Sequence, residues 1–138
     1  MSDPTVIAII EDDVAVREAL SDLLQVLGLP CRAFDRAEAF RNVYAPGVFA
    51  CLITDVRLPG ISGLELLQRL KATGTTMPII LISSLTDPTV RQRAEEYGAH
   101  AFLSKPLEAE VLIGYLKSAL GSDLLPSERE QRDGGGDG

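Results

Sequence analysis

The sequence predicts an α/β fold, a doubly wound five-stranded parallel sheet of order 2-1-3-4-5, and three observations predict it. Short apolar runs at 5–10, 50–54 and 78–83 show no alternation, as expected of strands covered on both faces. Each run is followed by a longer segment with apolar residues at helical spacing, so strand and helix alternate five times. The strand-like runs also end on polar residues or turn signals, which is where ligands sit in such sheets, beyond the carboxyl ends of the strands.

Composition sets the bounds. With 138 residues, 46% of them apolar and 24% charged, the chain has the make-up of one globular domain with a sizeable core. The net charge of −7 disfavours nucleic acid and anionic membranes, both of which need clustered Lys and Arg, so the expected partner is a protein. No apolar run is long enough to cross a bilayer and no leader pattern opens the sequence, so the expected location is the cytoplasm. Cys31 and Cys51 fall in strand segments without a C-x-x-C spacing, which reads as packing and not as redox or metal chemistry.

The elements follow in order. Strand β1 (5–10) runs into Glu11-Asp12-Asp13, and helix α1 (14–27) carries Val16, Leu20, Leu23, Leu24 and Leu27, with Asp13 as N-cap and Gly28 past its end. Strand β2 (30–34) precedes Asp35 and Glu38, a pattern resembling a capping box for helix α2 (37–43). Strand β3 (50–54) delivers Asp55 into a turn containing Pro59 and Gly60. Ser62 and Glu65 then cap helix α3, which ends near Gly74. Strand β4 (78–83) is followed by Asp87-Pro88, a natural start for helix α4, because proline at the first helical position forfeits no needed hydrogen bond; Gly98 stops it. Strand β5 (101–104) leads to Lys105-Pro106, and helix α5 (108–120) tolerates Gly114 only through packing, since glycine there costs about 1 kcal/mol relative to alanine. From Gly121 the chain is glycine-rich and poorly apolar, so 121–138 is expected to be a flexible tail.

Parallel strands with right-handed crossovers place Glu11, Asp12, Asp55, Ser83 and Lys105 on one rim, with Glu11, Asp12 and Asp55 at the crevice between β1 and β3. Clustered carboxylates repel, and they either take up protons or recruit a cation. An oxygen-only set suits Mg²⁺. Lys105 adds a positive charge and Ser83 a hydroxyl donor, so the rim is expected to hold an anion. Singly, each residue has a plainer use: the acids cap α1, Ser83 is a core hydroxyl, Lys105 is a solvated strand end, Phe102 is core. Their joint placement is what those uses do not predict. His100, the only histidine, is expected at the surface without a role.

Over about residues 5–120 these motifs resemble the receiver domains of bacterial two-component response regulators, a flavodoxin-like (βα)5 family. The match rests on Glu11-Asp12, on Asp55 followed by Pro59-Gly60 and Ser62-Gly63, on Ser83, and on Lys105-Pro106. The resemblance implies a receiver domain over 1–120 in which Asp55 is the phosphoacceptor, assisted by Lys105 and Ser83. It implies Mg²⁺ or Mn²⁺ held by Asp12, Asp55 and the Arg57 backbone carbonyl, with Glu11 acting through water, and a cis Lys105–Pro106 bond. Ser83 and Phe102 would form the switch, and the α4-β5-α5 face the output. The implied partners are a sensor histidine kinase or phosphotransfer protein and a downstream protein or second copy, with no direct nucleic-acid or membrane contact. The chain would then be no enzyme but a signalling phosphoacceptor that assists its own phosphorylation and slow dephosphorylation.

Some positions depart from the family pattern. Ser83 stands where Thr is usual and Ser84 where Gly or Ala is usual, a change expected to alter switching without abolishing phosphorylation. Arg57 and Leu85 occupy the variable positions flanking the phosphoryl group; the apolar Leu85 is expected to exclude water and slow phosphate loss. Leu124-Leu-Pro126-Ser-Glu128-Arg129-Glu130 resembles the opening of the LuxR-type helix-turn-helix that follows receivers of the nitrogen-fixation-regulator subgroup, and a charged solvated tail is the alternative. Two alternatives stand beside the phosphoacceptor. One is a pseudo-receiver that binds without phosphorylation. The other is an aspartate-nucleophile phosphatase of the haloacid-dehalogenase type, which needs a second Asp where Arg57 stands. A nucleotide-binding flavodoxin-like protein lacks support, because no Gly-rich turn follows β1.

Overall fold

A computed structural model describes residues 6–84 and 87–121. Five parallel strands, β1 (Ile7–Ile10), β2 (Cys31–Phe34), β3 (Cys51–Asp55), β4 (Ile79–Ser83) and β5 (Ala101–Ser104), form one sheet of order β2-β1-β3-β4-β5. Between them run α1 (Val14–Val26), α2 (Ala37–Val43), α3 (Gly63–Ala72) and α4 (Pro88–Glu96), and α5 (Ala109–Leu120) follows β5.

The uninterrupted apolar runs have a direct explanation in the packing. Side chains alternate across a strand, so Ile7, Ile9, Ile53, Ile80 and Ile82 face α1 and α5. Their neighbours Ala8, Ile10, Leu52, Ile79 and Leu81 face α2, α3 and α4. With helices on both faces, β1, β3 and β4 are buried at every position, and no polar side is needed. Burial of one such isoleucine or leucine stabilises the fold by about 1.5–3 kcal/mol. Helix α5 is held by Leu112, Leu116 and Leu120, while Val111 and Tyr115 lie exposed. Cys51 packs in the core, where burial pushes its thiol up to about 12, so it remains a protonated small hydrophobe.

Local signals explain most element ends. Asp13 accepts from the Val16 N–H, Ser62 from the Glu65 N–H and Asp87 from the Thr89 N–H, capping α1, α3 and α4. The capping box expected at Asp35 is absent: Arg36, in extended backbone, is the N-cap of α2 and makes no side-chain cap bond. Glu38 is instead drawn to a backbone N–H 23 residues away, at Ile61, and Asp35 bonds the Arg36 side chain. Of the tail expected at 121–138, residues 122–138, with the helix-turn-helix-like motif, lie outside the described residues, as does Leu85.

Candidate functional site

Four strand ends converge on one rim. Register sets Ile10 level with Thr54 and Asp55 level with Ile82, so the carboxyl ends of β1, β3 and β4 lie side by side. The Glu11 N–H donates to the Phe34 carbonyl at 3.0 Å and the Val56 N–H to the Ile82 carbonyl at 2.9 Å, which carries the ladder past the strand ends. The Lys105 N–H donates to the Ser83 carbonyl at 2.8 Å, tying the start of the β5-α5 connection to the end of β4. The Lys105–Pro106 peptide is cis.

The Lys105 ammonium reaches across to both acids. Its Nζ donates to Asp55 Oδ2 at 2.7 Å and lies 2.9 Å from Glu11 Oε1 in an ion pair that lacks hydrogen-bond alignment. Both carboxylates are buried, Glu11 completely, and the Lys105 side chain is 21% exposed. Burial pushes the Glu11 carboxyl up to about 7, with the Asp55 charge adding to the rise while Lys105 and the Asp13 N–H pull against it. Burial also works to lower the Lys105 ammonium, yet its contacts with Asp55 and Glu11 prevail and hold it above the usual lysine range. The ammonium therefore stays charged at neutral pH, between carboxylates that need it.

Asp12 is exposed beside this pair, and one carboxylate oxygen from each of Glu11, Asp12 and Asp55 lies within 4.8 Å of the others. Three oxygen donors of high charge on a half-open rim fit a hard divalent cation such as Mg²⁺, which accepts carboxylates and keeps waters. Arg57 is exposed, and its N–H donates to Asp55 Oδ1 at 3.2 Å, leaving the Arg57 side chain free of that bond. Ser83 is fully buried at the end of β4. Phe102 is half-buried on β5, away from the carboxylates, with the Arg91 guanidinium 4.9 Å from its ring centroid. The rim thus gathers Glu11, Asp12, Asp55, Ser83 and Lys105, while Phe102 belongs to the neighbouring face. His100 is exposed and shares a 2.7 Å hydrogen bond with Ser118.

Three supports have roles that the sequence patterns did not state. Arg17 Nη1 donates to the Glu11 carbonyl at 2.8 Å, holding the β1-α1 turn. Gly63 lies against the backbone of Asp55, and a Cβ there would overlap the Asp55 carbonyl oxygen. Glu38 grips the β3-α3 loop through Ile61. Glu38 acts between segments 23 residues apart and Arg17 reaches back six residues to a carbonyl, neither of which a capping pattern encodes; the signal for Gly63 was its place in Ser62-Gly63.

Comparison with known proteins agrees with this geometry. Residues 7–117 match the family model described as the response regulator receiver domain. The response regulator protein TodT of Pseudomonas putida is 42% identical over 130 residues, covering 94% of this chain and 56% of TodT. The transcriptional regulatory protein FixJ of Azorhizobium caulinodans is 39% identical over 122 residues, covering 88% of this chain and 58% of FixJ. The chain thus spans about half the length of these curated relatives. Among solved structures, the BeF3-activated receiver domain of DrrB, from Thermotoga maritima, superposes with a TM-score of 0.76 at 30% identity, covering 85% of this chain and 97% of that one. No helix among the described residues is long and apolar enough to cross a membrane. With a matching family model over most of its length, a 2-1-3-4-5 parallel sheet and a rim of acids answered by one lysine, the chain belongs to the response regulator receiver domains.

Proposed function

We propose that Asp55 accepts a phosphoryl group from the phosphohistidine of a sensor histidine kinase or phosphotransfer protein, and that the protein signals through the α4-β5-α5 face. One observation carries this reading: Lys105 Nζ bridges Asp55 and Glu11 at 2.7 and 2.9 Å, with an Asp12 oxygen in the same cluster. A carboxylate repelled by two neighbouring acids and matched by a single ammonium is arranged to receive an electrophilic anion.

Asp12, Asp55 and the Arg57 backbone carbonyl would hold Mg²⁺ or Mn²⁺, with Glu11 supporting them through water. When bound, the cation neutralises charge on the phosphoryl oxygens. An Asp55 oxygen attacks phosphorus in line; an O–P bond forms as the N–P bond breaks, and the imidazole nitrogen keeps the electron pair and takes a proton from solvent. Lys105 shifts its hydrogen bond from Asp55 Oδ2 to a phosphoryl oxygen, and the Ser83 hydroxyl donates to another. The carrier of the phosphohistidine must rest within side-chain reach of Asp55. An apolar groove of about 690 Å³ between α1 and α5, lined in part by Val16, Ala19, Leu20, Pro106 and Leu107, begins at Lys105 and supplies such a surface.

Recruitment of Ser83 toward the phosphoryl group biases Phe102 inward and away from Arg91, changing the face formed by α4, β5 and α5. That face then meets a downstream protein or a second copy of the chain, without direct contact to nucleic acid or membrane. The protein acts in the cytoplasm as a signalling phosphoacceptor and not as an enzyme with a separate substrate. Its receiver unit ends near residue 120. The test is intact mass after incubation with acetyl phosphate and Mg²⁺. One phosphoryl adduct is expected for the wild-type chain and none for Asp55→Asn; an unmodified wild-type chain would favour a pseudo-receiver.

A further inference from the structure

The loop that leaves Asp55 is pinned at three points. The Arg57 N–H donates to Asp55 Oδ1, and the Gly63 N–H donates to the Val56 carbonyl at 2.8 Å. Both of these bonds lie within the segment itself. The third comes from the α2 layer, where Glu38 Oε2 accepts the Ile61 N–H at 3.2 Å. Gly60, just before Ile61, has φ +75° and packs so closely on the Glu38 carboxylate that a Cβ would collide with it. The other carboxylate oxygen, Oε1, is sealed from solvent with no hydrogen-bond partner. The backbone N–H groups of Glu38 itself and of Ile61 hold this carboxyl below its usual range, so it stays ionised at neutral pH.

Bonding to its own N–H in the first turn of α2 does not account for the reach of this partly buried carboxylate to Ile61, 23 residues along the chain. That reach is explained by what the carboxylate grips. Residues 57–61 run from the proposed carbonyl ligand to the N-cap of α3, and beside the packing of Leu58 and Ile61 on the core, Glu38 is their hydrogen-bonded attachment to α2. Without it, Leu58 and Ile61 still pack on the core, but the Gly60–Ile61 peptide loses the hydrogen bond that orients it, and glycine at position 60 adds little restraint.

We infer that Glu38 is a positioning residue for the rim: by clamping Gly60-Ile61 it fixes where the Arg57 backbone carbonyl stands relative to Asp55 and Asp12. The inference rests on the reading that Asp12, Asp55 and the Arg57 carbonyl take up Mg²⁺. Removing an outer support of this kind typically weakens metal binding by about 10- to 100-fold, and a single backbone clamp falls at the lower end.

The experiment compares wild type, Glu38→Ala and Glu38→Gln by Mg²⁺ titration calorimetry and by amide hydrogen exchange at Ile61 in metal-free protein. Glu38→Met, which keeps side-chain volume without the acceptor, replaces the alanine variant if that fails to fold. In the variants lacking the acceptor, Mg²⁺ affinity is expected to fall about tenfold and Ile61 exchange to speed up at least as much. Glu38→Gln retains an oxygen for the Ile61 N–H and should restore both. Unchanged Ile61 exchange, or faster exchange with unchanged Mg²⁺ affinity, overturns the positioning role while leaving the phosphoacceptor reading intact. Absence of Mg²⁺ binding by the wild-type chain overturns that reading and the inference together.

Discussion

The two rims of the sheet are built from the same strands and have opposite character. Among the described residues, the buried polar side chains, Glu11, Thr54, Asp55 and Ser83, sit at or just beyond the carboxyl ends of β1, β3 and β4. The amino-end rim also has a hollow, of about 540 Å³, but it is lined by residues such as Tyr44, Phe49, Thr75, Met77 and Pro78 and by no carboxylate or ammonium. Two of its hydroxyls pair with each other, Tyr44 Oη and Thr75 Oγ1 lying 3.0 Å apart. Volume alone does not locate the chemistry. What separates the rims is that one holds acids whose desolvation is offset by one ammonium, Lys105, and by the N–H groups of Asp13 and Arg57, so it has charge to turn on a phosphoryl group, whereas the other is lined by no charged side chain.

The strongest way to break this contrast is to remove the ammonium. Lys105→Ala should slow phosphorylation of Asp55 by acetyl phosphate about 10²- to 10³-fold, read as initial rate by intact mass, because a donor aimed at developing charge is lost. A rate within threefold of wild type would mean that the ion pair is structural only. Next is the backbone contact that supports the same rim. Gly63→Ala forces a methyl into the Asp55 carbonyl and should lower stability by about 2–3 kcal/mol in urea unfolding, the upper part of the range for an overpacked site. A loss below about 0.5 kcal/mol would show that α3 shifts without strain. The smallest effect belongs to the opposite rim. Tyr44→Phe removes one hydroxyl pair, should cost about 1 kcal/mol and should leave the phosphorylation rate unchanged. A slowed rate in this variant would contradict the separation of the rims.

The fold was legible because each cue was local and redundant. Strands β1, β3 and β4 announce themselves as apolar runs since both of their faces are covered, and Asp13, Ser62 and Asp87 cap the helices they precede in sequence. The rim was legible in its members, because parallel strands must bring their carboxyl ends together, and the β4-β5 register then places Ser83 beside Ser104 and Lys105 just past it. What could not be read was any choice between partners. Asp35 and Glu38 have capping-box spacing, but an N–H in a loop far along the chain took the Glu38 carboxylate. Nor does a motif state that one lysine is shared by Glu11 and Asp55, or that Arg91 lies over Phe102; those depend on side-chain reach in the folded chain.

The central claim, that the acidic rim makes Asp55 the phosphoacceptor, is tested most directly by locating the phosphoryl group. After treatment with acetyl phosphate and Mg²⁺, borohydride reduction converts an aspartyl phosphate to homoserine, which peptide mass mapping places in the sequence. The account predicts homoserine at position 55 alone, with the adduct lost on hydroxylamine treatment. A hydroxylamine-stable phosphate on Ser83, or an acyl phosphate at Glu11 or Asp12 with Asp55 unmodified, would contradict it.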